Sequence, residues 1–104
     1  MARDYRVIVS PEAFGNMGGV IDYIAPQSPA NAAKVIDRLW DAMQGLKDLP
    51  HRYGVVSARR QPKRAVRRMT VAPDLVYYRI DDAARVVRIL TVRHGSQRQP
   101  RRFK

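Results

Sequence analysis

Cysteine is absent from this 104-residue chain. That excludes a disulfide scaffold, a thiol nucleophile and a thiolate-bound zinc. His51 and His94 are the two histidines and Glu12 is the single glutamate. An all-protein metal site is therefore not expected. Phosphate-loop and nucleophile-elbow motifs are missing too. Gly15, Gly18 and Gly19 fall inside a helical pattern instead of between a strand and a helix, so no cofactor is expected. No apolar run is long enough to cross a membrane, and the opening Met-Ala-Arg-Asp-Tyr lacks the apolar stretch of a signal peptide. A cytoplasmic protein is the expectation.

Acidic residues are few. Nine Asp and Glu face 20 Lys and Arg, for a net charge of +11. The excess is polarised: residues 1–51 carry 5 basic and 6 acidic residues, whereas residues 52–104 carry 15 and 3. Sixteen of the basic residues are arginine, whose planar fork suits phosphate and carboxylate. Such a charge attracts polyanions or an acidic protein partner. A soluble basic protein encoded by a GC-rich genome is the plain alternative.

Hydrophobic residues make up 45% of the chain, enough for one small folded domain. Tyr5-Arg6-Val7-Ile8-Val9 reads as a strand. Ser10-Pro11-Glu12 is a helix start, followed by Phe14, Met17, Ile21 and Ile24 at helical spacing. The three glycines predict a bent or flexible start to this helix. Ala25-Pro26-Gln27 interrupts the chain and Ser28-Pro29 repeats the start signal. Ala32, Val35, Ile36, Leu39, Trp40, Met43 and Leu46 then form one apolar stripe opposite Lys34, Asp37, Arg38, Asp41, Gln44 and Lys47. Val35, Ile36, Leu39, Trp40 and Met43 are expected to be covered by the sheet or by a partner. Pro50 ends this element.

Residues 51–63 read as a basic loop. Ala65–Val71, Leu75–Ile80 and Arg85–Val92 read as strands joined by short turns, hence an antiparallel meander. The first strand should close the sheet beside one of these. The order β-α-α-β-β-β defines an α+β domain with a helical hairpin on one sheet face and arginines on the other. Strict alternation sends Arg67 and Arg68 to opposite faces, and Arg88 and Arg93 likewise. Asp81-Asp82 reads as a turn former. His94, beside Arg93, is a candidate general base, and a packing histidine otherwise.

The chain resembles the RelE/ParE superfamily of type II toxin–antitoxin toxins. The residues that carry the resemblance are Tyr5–Val9, Ser10-Pro11-Glu12-Ala13, Ile21-Asp22-Tyr23-Ile24-Ala25, Ser28-Pro29-Ala30-Asn31-Ala32, Leu46 with Leu49-Pro50 and Gly54, Val76–Ile80, and Val86 through Val92-Arg93-His94-Gly95. The resemblance implies a RelE/ParE-like toxin domain over residues 1–95, with a basic tail at 96–104. It implies a growth-arresting protein neutralised by a cognate antitoxin in a hetero-oligomer. RelE-like members cut mRNA on the ribosome, and ParE-like members inhibit DNA gyrase without cleaving RNA. Arginines typical of RelE-like sites are replaced here by Thr70 or Leu75 and by Gly95; Phe103 alone could match the C-terminal aromatic. The Ser-Pro-x-Ala helix start and the His-Gly ending look more like the ParE branch. Expected antitoxin contacts are Trp40, Tyr53, Arg67, Arg79 and Arg93, and expected target contacts are Arg93, His94 and Arg98. A catalytic set, were the chain an mRNA interferase, would be His94, Arg67 and Arg93.

Overall fold

A computed structural model describes residues 5–57 and 64–95. Strand β1 (Arg6–Val9) leads into helix α1 (Pro11–Ile24) and helix α2 (Pro29–Gln44). Two single-turn 3-10 segments follow, Gly45–Lys47 and Pro50–Arg52. The chain then enters β2 (Val55–Ser57), β3 (Val66–Val71), β4 (Asp74–Asp81) and β5 (Val86–His94). They form one sheet in the order β1-β5-β4-β3-β2. β1 runs parallel to β5, and the other neighbours are antiparallel. The fold is α+β, as the element order predicts. It holds one strand more than expected: Val55–Ser57, inside the segment read as a loop, pairs with β3 at the sheet edge. Two valines are too short a β-branched run to reveal it.

Both helices start at their serines. The Ser10 hydroxyl accepts from the Ala13 amide at 3.1 Å and the Ser28 hydroxyl from the Asn31 amide at 3.2 Å. Each satisfies an amide that the first helical turn leaves without a partner. Helix α1 runs unbroken from Pro11 to Ile24, through all three of its glycines. Its buried face is Ala13 and Met17; Phe14 and Ile21, expected on the apolar stripe, are exposed.

The core lies between the helices and one sheet face. Ala13, Met17, Leu39, Met43 and Leu46 meet Met69, Val76, Tyr78, Val87, Ile89 and Val92. Val35 and Ile36 are half-buried against this cluster. Trp40, expected in the core, is 39% exposed. Leu39 and Met43 already fill the helix–sheet seam, and Trp40 points off its flank toward Phe14, with ring centroids 6.3 Å apart.

One irregularity in the ladder decides where the arginines lie. Tyr77 pairs with Thr91 but Tyr78 pairs with Ile89, so Leu90 is an extra residue in β5. A bulge of this kind shifts the alternation by one. Arg88 therefore shares its face with Arg93, against the expectation from strict alternation.

Candidate functional site

Three groups of side chains stand out. The first is on the helix side, at the end of the sheet where β1 begins. Arg67 of β3 donates from Nη1 to the carbonyls of His51 at 3.0 Å and Tyr53 at 2.6 Å. The buried Tyr78 hydroxyl donates to the Pro50 carbonyl at 2.6 Å. Burial, which disfavours the phenolate, pushes the Tyr78 pKa up to about 12. These bonds hold the second 3-10 turn onto the sheet. Beside it, the Tyr5 hydroxyl donates to Asp82 Oδ1 at 2.6 Å, and His51 Nε2 lies 3.0 Å from the same oxygen. The bond from Tyr5 is the main cause that holds the Asp82 carboxyl below its ordinary range, and it raises the Tyr5 pKa in turn. Asp82 thus joins the start of β1, the 3-10 turn and the β4–β5 turn, while Asp81 Oδ1 accepts from the Ala84 amide at 3.0 Å as a turn former does.

The second group is the sheet face opposite the helices. Register and alternation set Arg6, Arg68, Arg79, Arg88 and Arg93 on it. Arg6, Arg68 and Arg88 are exposed, and Arg79 and Arg93 are half-buried. Arg79 Nε donates to the Arg64 carbonyl at 3.2 Å. Desolvation, and secondarily the Arg64 charge, lowers the Arg79 pKa.

The third group is apolar. Phe14, Ile21 and Trp40 are exposed on the two helices. Large exposed apolar side chains brought together in this way mark interaction surfaces. At the opposite end of the sheet from Asp82, the 3%-exposed Asp74 pairs across the ladder with His94. Burial raises the Asp74 pKa, partly offset by the charges of His94 and Arg38.

Residues 7–99 match the family of the ParE toxin of type II toxin–antitoxin systems, parDE. The chain belongs to the ParE toxin family. Solved structures agree on the fold. The chromosomal ParDE system of Pseudomonas aeruginosa superposes with a TM-score of 0.68 at 17% identity, covering 88% of this chain and 97% of that one. The archaeal RelE–RelB complex of Pyrococcus horikoshii gives 0.66 at 14% identity, covering 91% and 99%. The RelBE2 toxin–antitoxin complex of Mycobacterium tuberculosis gives 0.60 at 23% identity, covering 90% and 94%. No curated protein matches the chain.

Within this ParE-family fold the residues singled out from sequence are dispersed. Arg67 faces the helices with Tyr53, whereas Arg79 and Arg93 face away. His94 sits opposite Asp74, and Arg67 opposite Tyr78 four residues further along β4, which sets them about 13 Å apart along the strand. Arg67, Arg93 and His94 therefore do not converge on one point. Trp40 belongs to the apolar patch on the helices. Arg98 lies outside the described residues. Sequence reasoning passed over Phe14 as a surface residue, Asp82 as a junction, and Arg6 as part of the basic face. The place of Arg6 one residue before Val7 in a short strand is the signal for it, since successive side chains point to opposite faces and Val7 and Val9 pack on the core. No group of three or more His, Cys, Asp or Glu able to hold a metal occurs among the described residues. No helix there is long and apolar enough to cross a membrane.

Proposed function

We propose that the chain is a ParE-like toxin that arrests growth by binding DNA gyrase, acting in the cytoplasm and held inactive by a cognate antitoxin. The match of residues 7–99 to ParE toxins carries this reading. The dispersal of Arg67, Arg93 and His94 supports a binding role over a cleaving one. Cleavage at a ribose needs a base, cations on the phosphate and a leaving-group acid within reach of one another.

The antitoxin would engage two kinds of surface. An amphipathic helix laid across Phe14, Ile21 and Trp40 fits the exposed apolar patch. Acidic flanks would reach Arg79 and Arg93, with Tyr53 and Arg67 at the rim, and the target would meet Arg93, His94 and Arg98. Likeness to the RelE–RelB complex, close to that for the ParDE system, keeps a second reading in play: a ribosome-dependent mRNA interferase. Inducing the chain alone, and following plasmid supercoiling and protein synthesis together, tests both. Early loss of supercoiling supports the gyrase reading, and early loss of translation supports the second. Undisturbed growth removes both.

A further inference from the structure

Leu49 is held in a conformation that leucine disfavours. Its φ is 51° and its ψ 55°, in the left-handed region. There the Cβ crowds the backbone carbonyl, which is why glycine and asparagine are the usual occupants. The following Pro50 pushes residue 49 toward extended backbone, so the observed conformation opposes that preference too. The side chain contributes little to the core, because it is 59% exposed. The strain persists because the turn that follows is fastened from several sides. The buried Tyr78 hydroxyl donates to the Pro50 carbonyl at 2.6 Å, and Arg67 Nη1 to those of His51 and Tyr53 at 3.0 and 2.6 Å. The Arg52 amide donates to the Leu49 carbonyl at 3.2 Å, and its guanidinium to the Gly45 carbonyl at 3.4 Å. Val55, on the edge strand that comes next, is exposed as well.

We propose that Leu49 is a preset anchor for the antitoxin, seated between apolar side chains one turn apart on an amphipathic antitoxin helix. Acidic residues on the flanks of that helix would face Lys47 and Arg52. The inference rests on the antitoxin reading, in which Tyr53 and Arg67 stand at the rim of the bound segment. It changes the part played by Arg67. Its Nη1 is committed to two carbonyls, so it is a positioning residue that sets the turn. Charge chooses the occupant. The cations at this turn are Lys47, Arg52 and Arg67. The anions are Asp48 and Asp82, and Asp82 is already bonded to Tyr5 and His51. A second copy would bring the same cations against these, which like charge opposes. An acidic, amphipathic helix suits both the apolar side chain and its setting. An anchor fixed beforehand also loses no backbone freedom on binding.

Calorimetry and thermal unfolding on the full chain, with the product of the neighbouring small open reading frame as ligand, test this. Leu49→Asn suits the left-handed backbone and removes the apolar side chain. It should raise Tm by about 3 °C and weaken antitoxin binding about tenfold. Leu49→Met keeps both the strain and an apolar side chain. It should leave Tm within about 1 °C and affinity within about threefold of the parent chain. Arg67→Met frees the turn, and should weaken binding in the parent chain but add little in the Leu49→Asn background. Additive losses would give Arg67 a contact of its own and overturn its positioning role. Unchanged affinity in Leu49→Asn, or a lowered Tm, would overturn the proposal while leaving the antitoxin reading in place. Equal losses in Leu49→Met and Leu49→Asn would overturn it too, since apolar burial would then not be the contact. A parent chain that does not bind the product at all removes the antitoxin reading, and this inference with it.

Discussion

Asn16 closes the edge of β5 beside Val92. Its side-chain Oδ1 accepts from the Val92 amide at 2.9 Å and from the Thr91 hydroxyl at 2.8 Å. β1 stops pairing at Val9 opposite Ile89, and Ser10 continues the edge through its own amide and hydroxyl, bonded to Ile89 and Leu90 carbonyls. Beyond that point helix α1 supplies the acceptor. Thr91 and Val92 are both buried, so loss of the acceptor would leave two donors dry. Asn16→Ala should cost about 1–3 kcal/mol in urea unfolding. Asn16→Asp, which keeps an acceptor oxygen, should cost less. Equal losses for the two would refute the account.

The glycines of α1 offer the opposite effect. Gly15, Gly18 and Gly19 are helical, none has positive φ, and a Cβ at any of them would meet nothing within 4 Å. Alanine at each should stabilise the fold by up to about 1 kcal/mol, partly by restricting the unfolded chain. Thermal unfolding of the three single variants and of the triple variant checks this, and a lowered Tm in the triple would show that the helix needs its glycines.

Much of this architecture is legible in the residues. Ser10-Pro11 and Ser28-Pro29 place both helix starts because capping is a local event. The period of Ala32, Leu39 and Met43 finds the buried face of α2. What escapes is decided by distant pairing. Leu90 carries no mark of a bulge, yet it sends Arg93 to the face of Arg88. The bond between Tyr5 and Asp82 joins residues 77 positions apart. Phe14 and Trp40 look like core residues by composition and spacing. They are displaced from it because smaller neighbours, Ala13 and Leu39, already fill the seam.

Two aspartates should move stability in opposite directions with pH. Burial raises the Asp74 pKa in the fold, so its contribution favours folding at low pH and is lost as pH rises through the folded pKa. Asp74→Asn should therefore raise Tm at pH 7 and make little difference near pH 3. Asp82 is the reverse: its lowered pKa contributes stability above the ordinary carboxylate value, lost as pH falls through the folded one. Asp82→Asn should lower Tm at pH 7 and matter little in acid. Parallel Tm-versus-pH curves for the two variants would contradict the assignment.

The apolar patch should matter for the antitoxin more than for the fold. Phe14 is 53% and Trp40 39% exposed, so truncation leaves little cavity. As anchors under an antitoxin helix, however, each would lose a fully covered contact. Trp40→Ala should weaken antitoxin binding by about 2 kcal/mol or more, with a much smaller loss of stability. Calorimetry with the product of the neighbouring small open reading frame measures the first and thermal unfolding the second. An antitoxin that binds Trp40→Ala and Phe14→Ala with unchanged affinity lies elsewhere.

The last expectation separates binding from cleavage. His94 pairs across the ladder with Asp74, Arg93 is on the far face, and Arg67 is bound to the His51 and Tyr53 carbonyls on the helix side. A base at His94 would thus have neither arginine on the phosphate it must attack. His94→Ala should leave toxicity largely intact, and the purified chain should not cut mRNA on programmed ribosomes. Arg93→Ala should instead weaken target binding, because the Leu90 bulge aims that cation, at the end of β5, toward the basic face. Removal of residues from Gln97 onward should do the same by taking away Arg98, Arg101, Arg102 and Lys104. Gyrase pull-down and growth assays on the three variants read this directly. Ribosome-dependent cleavage abolished by His94→Ala would place the chemistry at the end of β5 and move the chain to the interferase branch.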